Sequence, residues 1–261
     1  MQLPDEIPIL RILLHPTPTL LSTLVDKILN PSDSDANIYD PIVPLQTTGN
    51  KTPIFFVHPG VGEVLIFVNL AKYFYGERPF YAFRARGFDK GQPVFTSMAE
   101  MVGCYADAMQ KVQAHGPYAL AGYSYGGVVA YEVAKVLESR DEEVKFVGLI
   151  NIPPHIADRM YELNYTSRML NLSYFLGLIT KQDAVDLDEP FSLLPKEEQL
   201  QKVFDMAPPQ RLHELQLSIP KLDHWVGIAR SLIECGKSYV PSGSVGKYLV
   251  QRLYAFVIHE L

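Results

Sequence analysis

A serine set between glycines at the end of an apolar run limits the folds open to this chain. Residues 118–123 read Tyr-Ala-Leu-Ala-Gly-Tyr, which is typical of a buried strand, and the segment after Ser124 has helical spacing. Gly-x-Ser-x-Gly at such a junction predicts a sharp strand-to-helix turn that lifts the hydroxyl clear of the sheet. Gly122 and Gly126 suit a turn that is too crowded for a Cβ. Ser124 is therefore the candidate nucleophile, and the N–H of Tyr125 is a candidate oxyanion donor.

The pattern of strands and helices around this turn predicts an α/β fold. Short apolar runs alternate with amphipathic segments, which favours a mostly parallel sheet flanked by helices, with right-handed crossovers. Residues 153–243 read as all-helical and are too many for a simple crossover, so we expect an inserted helical cap there. The predicted strands are Ile54–Val57, 79–83, Tyr118–Tyr123, Val144–Ile150 and 248–258, and the predicted helices of the sheet region are 65–75, 98–113 and 126–137.

The N-terminal part of the chain reads differently from the rest. Residues 1–30 predict a small helical unit, because apolar residues recur at helical spacing between Leu20 and Ile28. Its apolar face needs a partner that about 30 residues cannot supply. Residues 31–52 are polar and turn-rich and are interpreted as a linker. The main domain is predicted to occupy residues 53–261.

Composition excludes several classes of function. A formal charge of -6 argues against a nucleic-acid groove, which needs a basic stripe. No apolar stretch approaches the roughly 20 residues of a membrane span, and the first residues given lack the basic region and small-residue cleavage site that are typical of a secretory signal. Cys104 and Cys235 are too few for a disulfide framework and are interpreted as free thiols in a reducing compartment. We therefore expect a cytoplasmic protein with no membrane or nucleic-acid partner and no metal.

A glycine-rich loop after the first predicted strand supplies the second half of the candidate site. The segment reads His58-Pro-Gly-Val-Gly, and glycines there allow main chain to approach a substrate. In folds with this kind of serine turn, the second oxyanion donor comes from a loop after an early strand. The N–H of Gly60 or Val61 is the candidate donor. His58 is either a base or, as the alternative, a prop for the loop.

The motifs together resemble a known family. Three segments are similar to type I thioesterase domains, which have an α/β-hydrolase fold. They are Tyr-Ala-Phe-Arg-Ala-Arg-Gly, which ends at Arg86-Gly87, the run from Gly116 through Gly127, and Val-Val-Ala-Tyr-Glu-Val-Ala, which contains Glu132. Asn151-Ile-Pro-Pro-His-Ile and the cap run Leu-Asn-Leu-Ser-Tyr-Phe, 170–175, resemble thioesterase domains of fungal nonribosomal-peptide-synthetase-like enzymes, which make quinones or furanones from aryl pyruvates. Within residues 1–30, the stretch from Ile7-Pro-Ile-Leu to His15-Pro-Thr is similar to the closing helix of a carrier domain, which implies that this unit is a carrier-domain remnant.

The resemblance implies a serine thioesterase. Ser124 would take an acyl group from a phosphopantetheine thioester and pass it to water or to a carbon nucleophile. No cofactor would be bound, and an acyl carrier domain would be the partner, either in trans or within a longer parent protein. A catalytically weak or inactive relic that binds carrier domains, and a stand-alone carboxylesterase, are the alternatives.

The remaining triad members depart from the family pattern. The family places an aspartate at the position of Asn151. An asparagine there orients a histidine without supplying a charge, unless it is only a turn residue and the acid lies elsewhere. In the family the histidine follows the final strands, at a point beyond Leu261, and the question of whether this chain is a piece of a longer protein stays open. His259 is the candidate histidine, with His224 and His155 as alternatives.

Substrate contacts are predicted from the cap and from one loop. Arg84 and Arg86 would receive a phosphate or carboxylate, unless they brace their loop. Apolar and aromatic cap residues would line the acyl channel where they are not core: Met160, Tyr161, Tyr165, Met169, Tyr174 and Phe175.

Overall fold

A five-stranded, mostly parallel sheet forms the centre of the fold. The computed structural model describes residues 12, 18–29, 39–89, 91–151 and 155–245. The strands are β1 (Ile42–Gln46), β2 (Ile54–Val57), β3 (Phe80–Phe83), β4 (Tyr118–Tyr123) and β5 (Val144–Ile150). Their order in the sheet is β1-β3-β2-β4-β5, with β1 antiparallel and the others parallel. This arrangement confirms the predicted fold class.

Helices flank the sheet and make up the region that follows it. A short 3-10 turn, Leu65–Phe67, leads into α2. The helices are α1 (Pro18–Leu29), α2 (Val68–Lys72), α3 (Met98–Val112), α4 (Tyr125–Ser139), α5 (Ala157–Glu162), α6 (Tyr165–Phe175), α7 (Lys181–Asp186), α8 (Asp188–Ser192), α9 (Lys196–Met206), α10 (Pro209–Glu214) and α11 (Ile219–Lys237). In the described part of the chain after β5, all regular structure is helical, and α11 is its longest element.

The parallel register brings four strand ends to one edge. Val57 of β2 aligns with Phe83 of β3 and with Gly122 of β4. Tyr123, the last residue of β4, aligns with Ile150, the last residue of β5. The residues that follow these strands therefore share the carboxyl edge of the sheet, where open α/β sheets bind their ligands.

Two apolar clusters cover the two faces of the sheet. β2 is buried along its whole length, as predicted for a central parallel strand. Phe55 and Val57 belong to the larger cluster, which includes α3, α4 and α11. Ile54 and Phe56 face a smaller cluster, which includes Phe67 and Ala71 from the 3-10 turn and α2.

The linker prediction for residues 31–52 is wrong at Ile42–Gln46. These five residues form the edge strand β1, with Pro44 paired to Tyr81. Proline is tolerated on an edge strand because one side of its backbone needs no partner. A strand this short, containing a proline, carries too little alternation to be recognised from its pattern. The sheet therefore begins before Pro53.

Other boundaries differ in smaller ways. The predicted helix 65–75 is a 3-10 turn followed by the five-residue helix α2. In the N-terminal unit, the structure describes a helix at Pro18–Leu29. The predicted strand 248–258 lies outside the described residues.

Candidate active site

Ser124 occupies the turn between β4 and α4 in a strained conformation. Its φ and ψ are 54° and -125°. A non-glycine residue in such a conformation costs about 1–3 kcal/mol and persists only where its surroundings hold it. Two main-chain hydrogen bonds of 2.9 Å do so: the Ser124 N–H donates to Ile150 O, and its carbonyl accepts from the N–H of Gly127. The predicted sharp turn is present, and the Ser124 side chain is half-buried.

The two glycines of the motif are sterically required. An ideal Cβ on Gly122 would lie 2.0 Å from Gly126 O, and one on Gly126 would lie 2.3 Å from Val57 O and 2.4 Å from His58 O. All of these neighbours are main-chain atoms, which cannot move aside without shifting the strand or helix. The glycines therefore allow α4 to start directly against β2 and β4.

The predicted oxyanion loop lies beside the first residue of α4. An ideal Cβ on Gly60 would lie 3.6 Å from Cβ of Tyr125, so the two main chains are neighbours. Gly62 has a φ of 81° and donates to Pro59 O at 2.9 Å, which closes the loop into a tight turn. Val61 is 5% exposed. The structure thus brings Gly60 and Tyr125 together, next to Ser124, and the first N–H groups of a helix have no partner within the helix.

His58 is held by both ring nitrogens. Nδ1 lies 2.7 Å from Pro59 O, which only accepts, so Nδ1 carries the proton. Nε2 therefore accepts from the hydroxyl of Tyr105 at 2.8 Å. Burial lowers the pKa of His58 to about 4, and the hydrogen bond to Pro59 acts in the opposite direction. The alternative that His58 is a catalytic base is wrong, because its lone pair is already used; it props the loop.

Both arginines after β3 are engaged with protein groups. Arg84 pairs with the buried Glu63 at 3.0 Å and lies 3.9 Å from the centroid of the Phe88 ring. Arg86 pairs with Glu100 and donates to Pro93 O at 2.7 Å. The bracing alternative fits these contacts, in which each guanidinium donates to protein groups through Nε and Nη2.

Asn151 follows β5 at the same edge of the sheet as Ser124. Its φ is 88° and its side chain is exposed. Burial raises the pKa of the Tyr123 hydroxyl, and a hydrogen bond from Asn151 opposes that shift. The Tyr123 ring also meets Phe175 of α6 edge-to-face, with centroids 6.1 Å apart. Asn151 is therefore in contact with the residue that precedes Ser124.

Two of the three candidate histidines, His224 and His155, lie among the described residues. His224 on α11 donates from Nε2 to Gly87 O at 2.6 Å, so its ring lies against the loop after β3. His155 is exposed between β5 and α5. His259 lies outside the described residues. Within the described ranges, no histidine hydrogen-bonds to Ser124.

The cap residues divide between core and surface. Met160 and Met169 are buried in the core, whereas Tyr161 is 68% exposed. Tyr174 and Phe175 are half-buried, with ring centroids 5.4 Å apart. Of the predicted channel residues, Phe175 packs edge-to-face against Tyr123 beside the Ser124 turn.

Several residues of the site had no sequence signal. Glu63 directly follows the oxyanion loop, but nothing in the sequence pairs it with Arg84. Tyr105 lies in the predicted helix 98–113, and nothing in its sequence context indicates a role at the site. Across the described ranges, no group of histidine, cysteine and acidic side chains has the proximity to hold a metal ion. None of the described helices has the length and apolarity to cross a membrane.

Comparisons with known proteins agree with this geometry. The Thioesterase domain family matches residues 52–219. Atromentin synthetase from Tapinella panuoides is 68% identical over 241 residues, covering 92% of this chain and 25% of that protein. Inactive atromentin synthetase invA6 from Paxillus involutus is 54% identical over 255 residues, covering 98% of this chain and 26% of that protein. The chain thus spans about a quarter of the length of these relatives.

Solved structures show the same fold. A four-domain nonribosomal peptide synthetase bound to AMP and glycine matches with a TM-score of 0.66 at 17% identity, covering 88% of this chain and 19% of that chain. The wild-type Vlm2 thioesterase domain matches with a TM-score of 0.55 at 26% identity, covering 74% of this chain and 69% of that chain. With an α/β-hydrolase fold and fungal nonribosomal-peptide-synthetase-like relatives, this chain belongs to the thioesterase domain family.

Proposed function

We propose that this chain is the thioesterase part of an atromentin-synthetase-like enzyme, in which Ser124 takes the acyl group from a carrier-bound thioester. The observation that carries the proposal is the strained turn at Ser124, with φ 54°, set against the main chain of Gly60 and Tyr125. Strain of this kind concentrates at functional sites. The similarity to atromentin synthetases supports the same reading.

The proposed reaction begins with acylation of the serine. Ser124 Oγ attacks the thioester carbonyl, and the carbonyl oxygen becomes an oxyanion that the N–H groups of Tyr125 and of Gly60 or Val61 receive. The Oγ–C bond forms, the C–S bond breaks, and the serine proton passes through a base to the departing thiolate. Water or a carbon nucleophile then releases the acyl group and regenerates the hydroxyl.

The base and its orienting group remain those predicted from the sequence. The base is a histidine, with His259 as the candidate. Asn151 is the orienting residue, and its place after β5 at the carboxyl edge suits that role. An asparagine carbonyl orients an imidazole but does not stabilise an imidazolium with a full charge. We therefore expect slow turnover from this arrangement.

The substrate arm is proposed to come from a carrier domain. The chain covers about a quarter of its relatives, so the carrier would belong to a longer parent protein or act in trans. The phosphopantetheine arm belongs to the substrate, and no cofactor is required by the chemistry above. A formal charge of -6 is compatible with a protein partner and disfavours a nucleic acid.

Labelling with a fluorophosphonate tests the nucleophile. The reagent should modify the wild-type chain at Ser124, located by peptide mass spectrometry, and Ser124→Ala should abolish labelling. Ser139→Ala is a matched control, because Ser139 is an exposed residue at the far end of α4. Labelling that survives in Ser124→Ala refutes the assignment.

An inactive, carrier-binding relic is the second candidate. Two relatives, invA6 and invA3 of Paxillus involutus, bear the name inactive atromentin synthetase at 54% and 56% identity. Asn151 in place of an aspartate favours the same possibility. Acyl release from a carrier thioester separates the two, since only the enzyme releases thiol. Turnover of p-nitrophenyl esters with no preference for carrier thioesters would instead indicate a carboxylesterase.

A further inference from the structure

The long helix α11 of the cap contains one glycine, Gly236, at which the neighbouring side chains leave no room for a Cβ. Gly236 is buried near the end of α11. An ideal Cβ there would lie 2.8 Å from Met160 Cγ and 3.1 Å from Tyr125 Cε2. Contacts below about 3.4 Å require the neighbours to move. A glycine inside a helix costs about 1 kcal/mol relative to alanine, and at Gly236 the neighbours leave no room for the methyl group that would recover it.

A second glycine in the same helix provides the contrast. Gly227 is exposed, and an ideal Cβ there has nothing within 4 Å. The two glycines share one helix and one type of backbone. They differ in what lies opposite them, so Gly227 is a matched control for Gly236.

The ring that Gly236 contacts is enclosed on several sides. Tyr125 is 1% exposed. Its ring lies nearly parallel to the imidazole of His58, with centroids 6.3 Å apart and an interplanar angle of 15°. Its hydroxyl is 4.0 Å from Sδ of Met98, at the start of α3. The cap, the oxyanion loop and the sheet region therefore meet at one side chain.

The main chain of that residue belongs to the candidate site. Tyr125 directly follows Ser124, and Cβ of Tyr125 would lie 3.6 Å from a Cβ on Gly60. The ring is joined to this main chain through two torsions only. Because the ring is enclosed, a displacement by the cap that these torsions do not absorb would move the N–H that follows Ser124 or disturb the packing against His58.

We propose that Gly236 is a positioning residue for acylation of Ser124: it lets α11 approach Tyr125 closely enough to hold the ring, and through it the oxyanion donors, in place. This role rests on the proposed function. It assigns to the cap a part in the chemistry as well as in covering the substrate.

The expected effect of a methyl group at 236 follows from the distances. Relief of the contact with Tyr125 requires the ring or α11 to move by several tenths of an ångström. A misplacement of 1 Å costs about 10²-fold in rate, so Gly236→Ala should slow acylation about tenfold. Gly227→Ala should label at the wild-type rate.

The experiment is a time course of fluorophosphonate labelling that records both rate and final extent. Gly236→Ala should label more slowly but to completion, because every folded molecule still carries Ser124. A variant in which a fraction of the molecules is irreversibly misfolded, with the rest unaffected, would label at the wild-type rate to a lower extent, and that result would overturn the proposal. Equal rates for Gly236→Ala and the wild-type chain would also overturn it.

Double variants identify which neighbour of Gly236 transmits the effect on labelling. In a Tyr125→Leu background the contacting ring is absent, so Gly236→Ala should cause no further slowing. In a Met160→Ala background the Tyr125 contact remains, so the slowing should persist. The reverse pattern would overturn the proposal, since it would trace the effect to Met160. Should Gly236→Ala not fold, Tyr125→Leu alone decides: slower labelling to full extent supports the role, and a wild-type rate refutes it.

The outcomes for the two proposals are distinguishable. Absence of labelling in the wild-type chain refutes the proposed function and the positioning role with it. Labelling of the wild-type chain at Ser124 with an unaffected Gly236→Ala refutes the positioning role alone.

Discussion

The hydroxyl of Tyr105, in the middle of α3, lies 2.8 Å from Nε2 of His58, the first residue after β2. Both side chains are completely buried. Because Nδ1 of His58 donates to Pro59 O, the hydroxyl of Tyr105 must donate to Nε2. The neutral imidazole thereby joins the first turn of the oxyanion loop to a helix 47 residues away in the chain. Protonation of this ring would make Nε2 a donor, so the hydroxyl of Tyr105 would have to accept from it and the buried site would have to hold a charge.

Stability should therefore depend on pH through His58. Burial lowers its pKa to about 4 in the folded chain, against an ordinary value of 6.5. The unfolded state then binds more protons between these values, so the free energy of unfolding falls as the pH falls from 6.5 toward 4. Through His58, the free energy of unfolding above pH 6.5 should exceed that below pH 4 by on the order of 3 kcal/mol. Chemical denaturation across this pH range measures it.

The variant His58→Asn provides the control for that measurement. It removes the titrating group, so its free energy of unfolding should fall less steeply than that of the wild-type chain between pH 6.5 and 4. Carboxylates titrate in both proteins and cancel in the difference. Parallel curves for the two proteins would show that His58 is not the group responsible.

A methyl group at Gly122, in β4, should be far more damaging than one at a helical glycine that faces open space. Gly122→Ala would place Cβ 2.0 Å from the carbonyl oxygen of Gly126, which is main chain. We expect a loss of about 3 kcal/mol or more, at the upper end for overpacking a core. Gly103→Ala, on α3 with nothing within 4 Å, should be neutral or stabilising by up to about 1 kcal/mol. Thermal unfolding of both variants is the test, and equal losses would contradict the steric argument.

The part of the site that could be predicted from the sequence is the part governed by local chemistry. The turn at Ser124 is specified by a strand, two glycines and a helix within about ten residues, so its pattern is visible without the fold. The same holds for Gly60 and Tyr125, because parallel strands end at one edge and bring their following loops together. The cap was recognised from its composition and its length.

The contacts that could not be predicted join residues far apart in the chain. Each of these contacts depends on the register of packed elements, which no local pattern encodes. They are the contacts of Arg84 with Glu63, of His58 with Tyr105 and of Gly236 with Tyr125. The edge strand β1 was missed because five residues with a proline give no clear alternation. Buried polar pairs of this kind leave little trace in hydropathy, since each member reads as an ordinary surface residue.

The pair of Glu63 and Arg84 should contribute substantially to stability. Their side chains are 1% and 11% exposed, and Glu63 also accepts from the N–H of Val64 at 2.8 Å. Glu63→Gln keeps the shape but leaves Arg84 without a charged partner. We expect a loss of about 3–5 kcal/mol, as is usual when one member of a buried pair is removed. The measurement is the free energy of unfolding in urea.

A solvent-exposed pair in the same chain serves as the comparison. Arg159 and Glu162, at 2.7 Å, are 65% and 62% exposed. Water and salt screen such a pair, so Glu162→Gln should change stability by about 1 kcal/mol or less. Losses of similar size in the two variants would show that burial does not govern the strength of the Glu63 pair.

Replacing Asn151 by aspartate should accelerate turnover if Asn151 orients the catalytic histidine. Its φ of 88° suits both residues, because asparagine and aspartate tolerate positive φ better than other side chains. The carboxylate would stabilise the imidazolium that forms as the base takes a proton. The predicted outcome is a higher kcat for acyl release from a carrier thioester, by about tenfold or more, with KM little changed. The charge is what matters, so Asn151→Ser should not accelerate the reaction. An Asn151→Asp chain no faster than the wild type would show that Asn151 serves only the turn beside Tyr123 and that the acid of the site lies elsewhere.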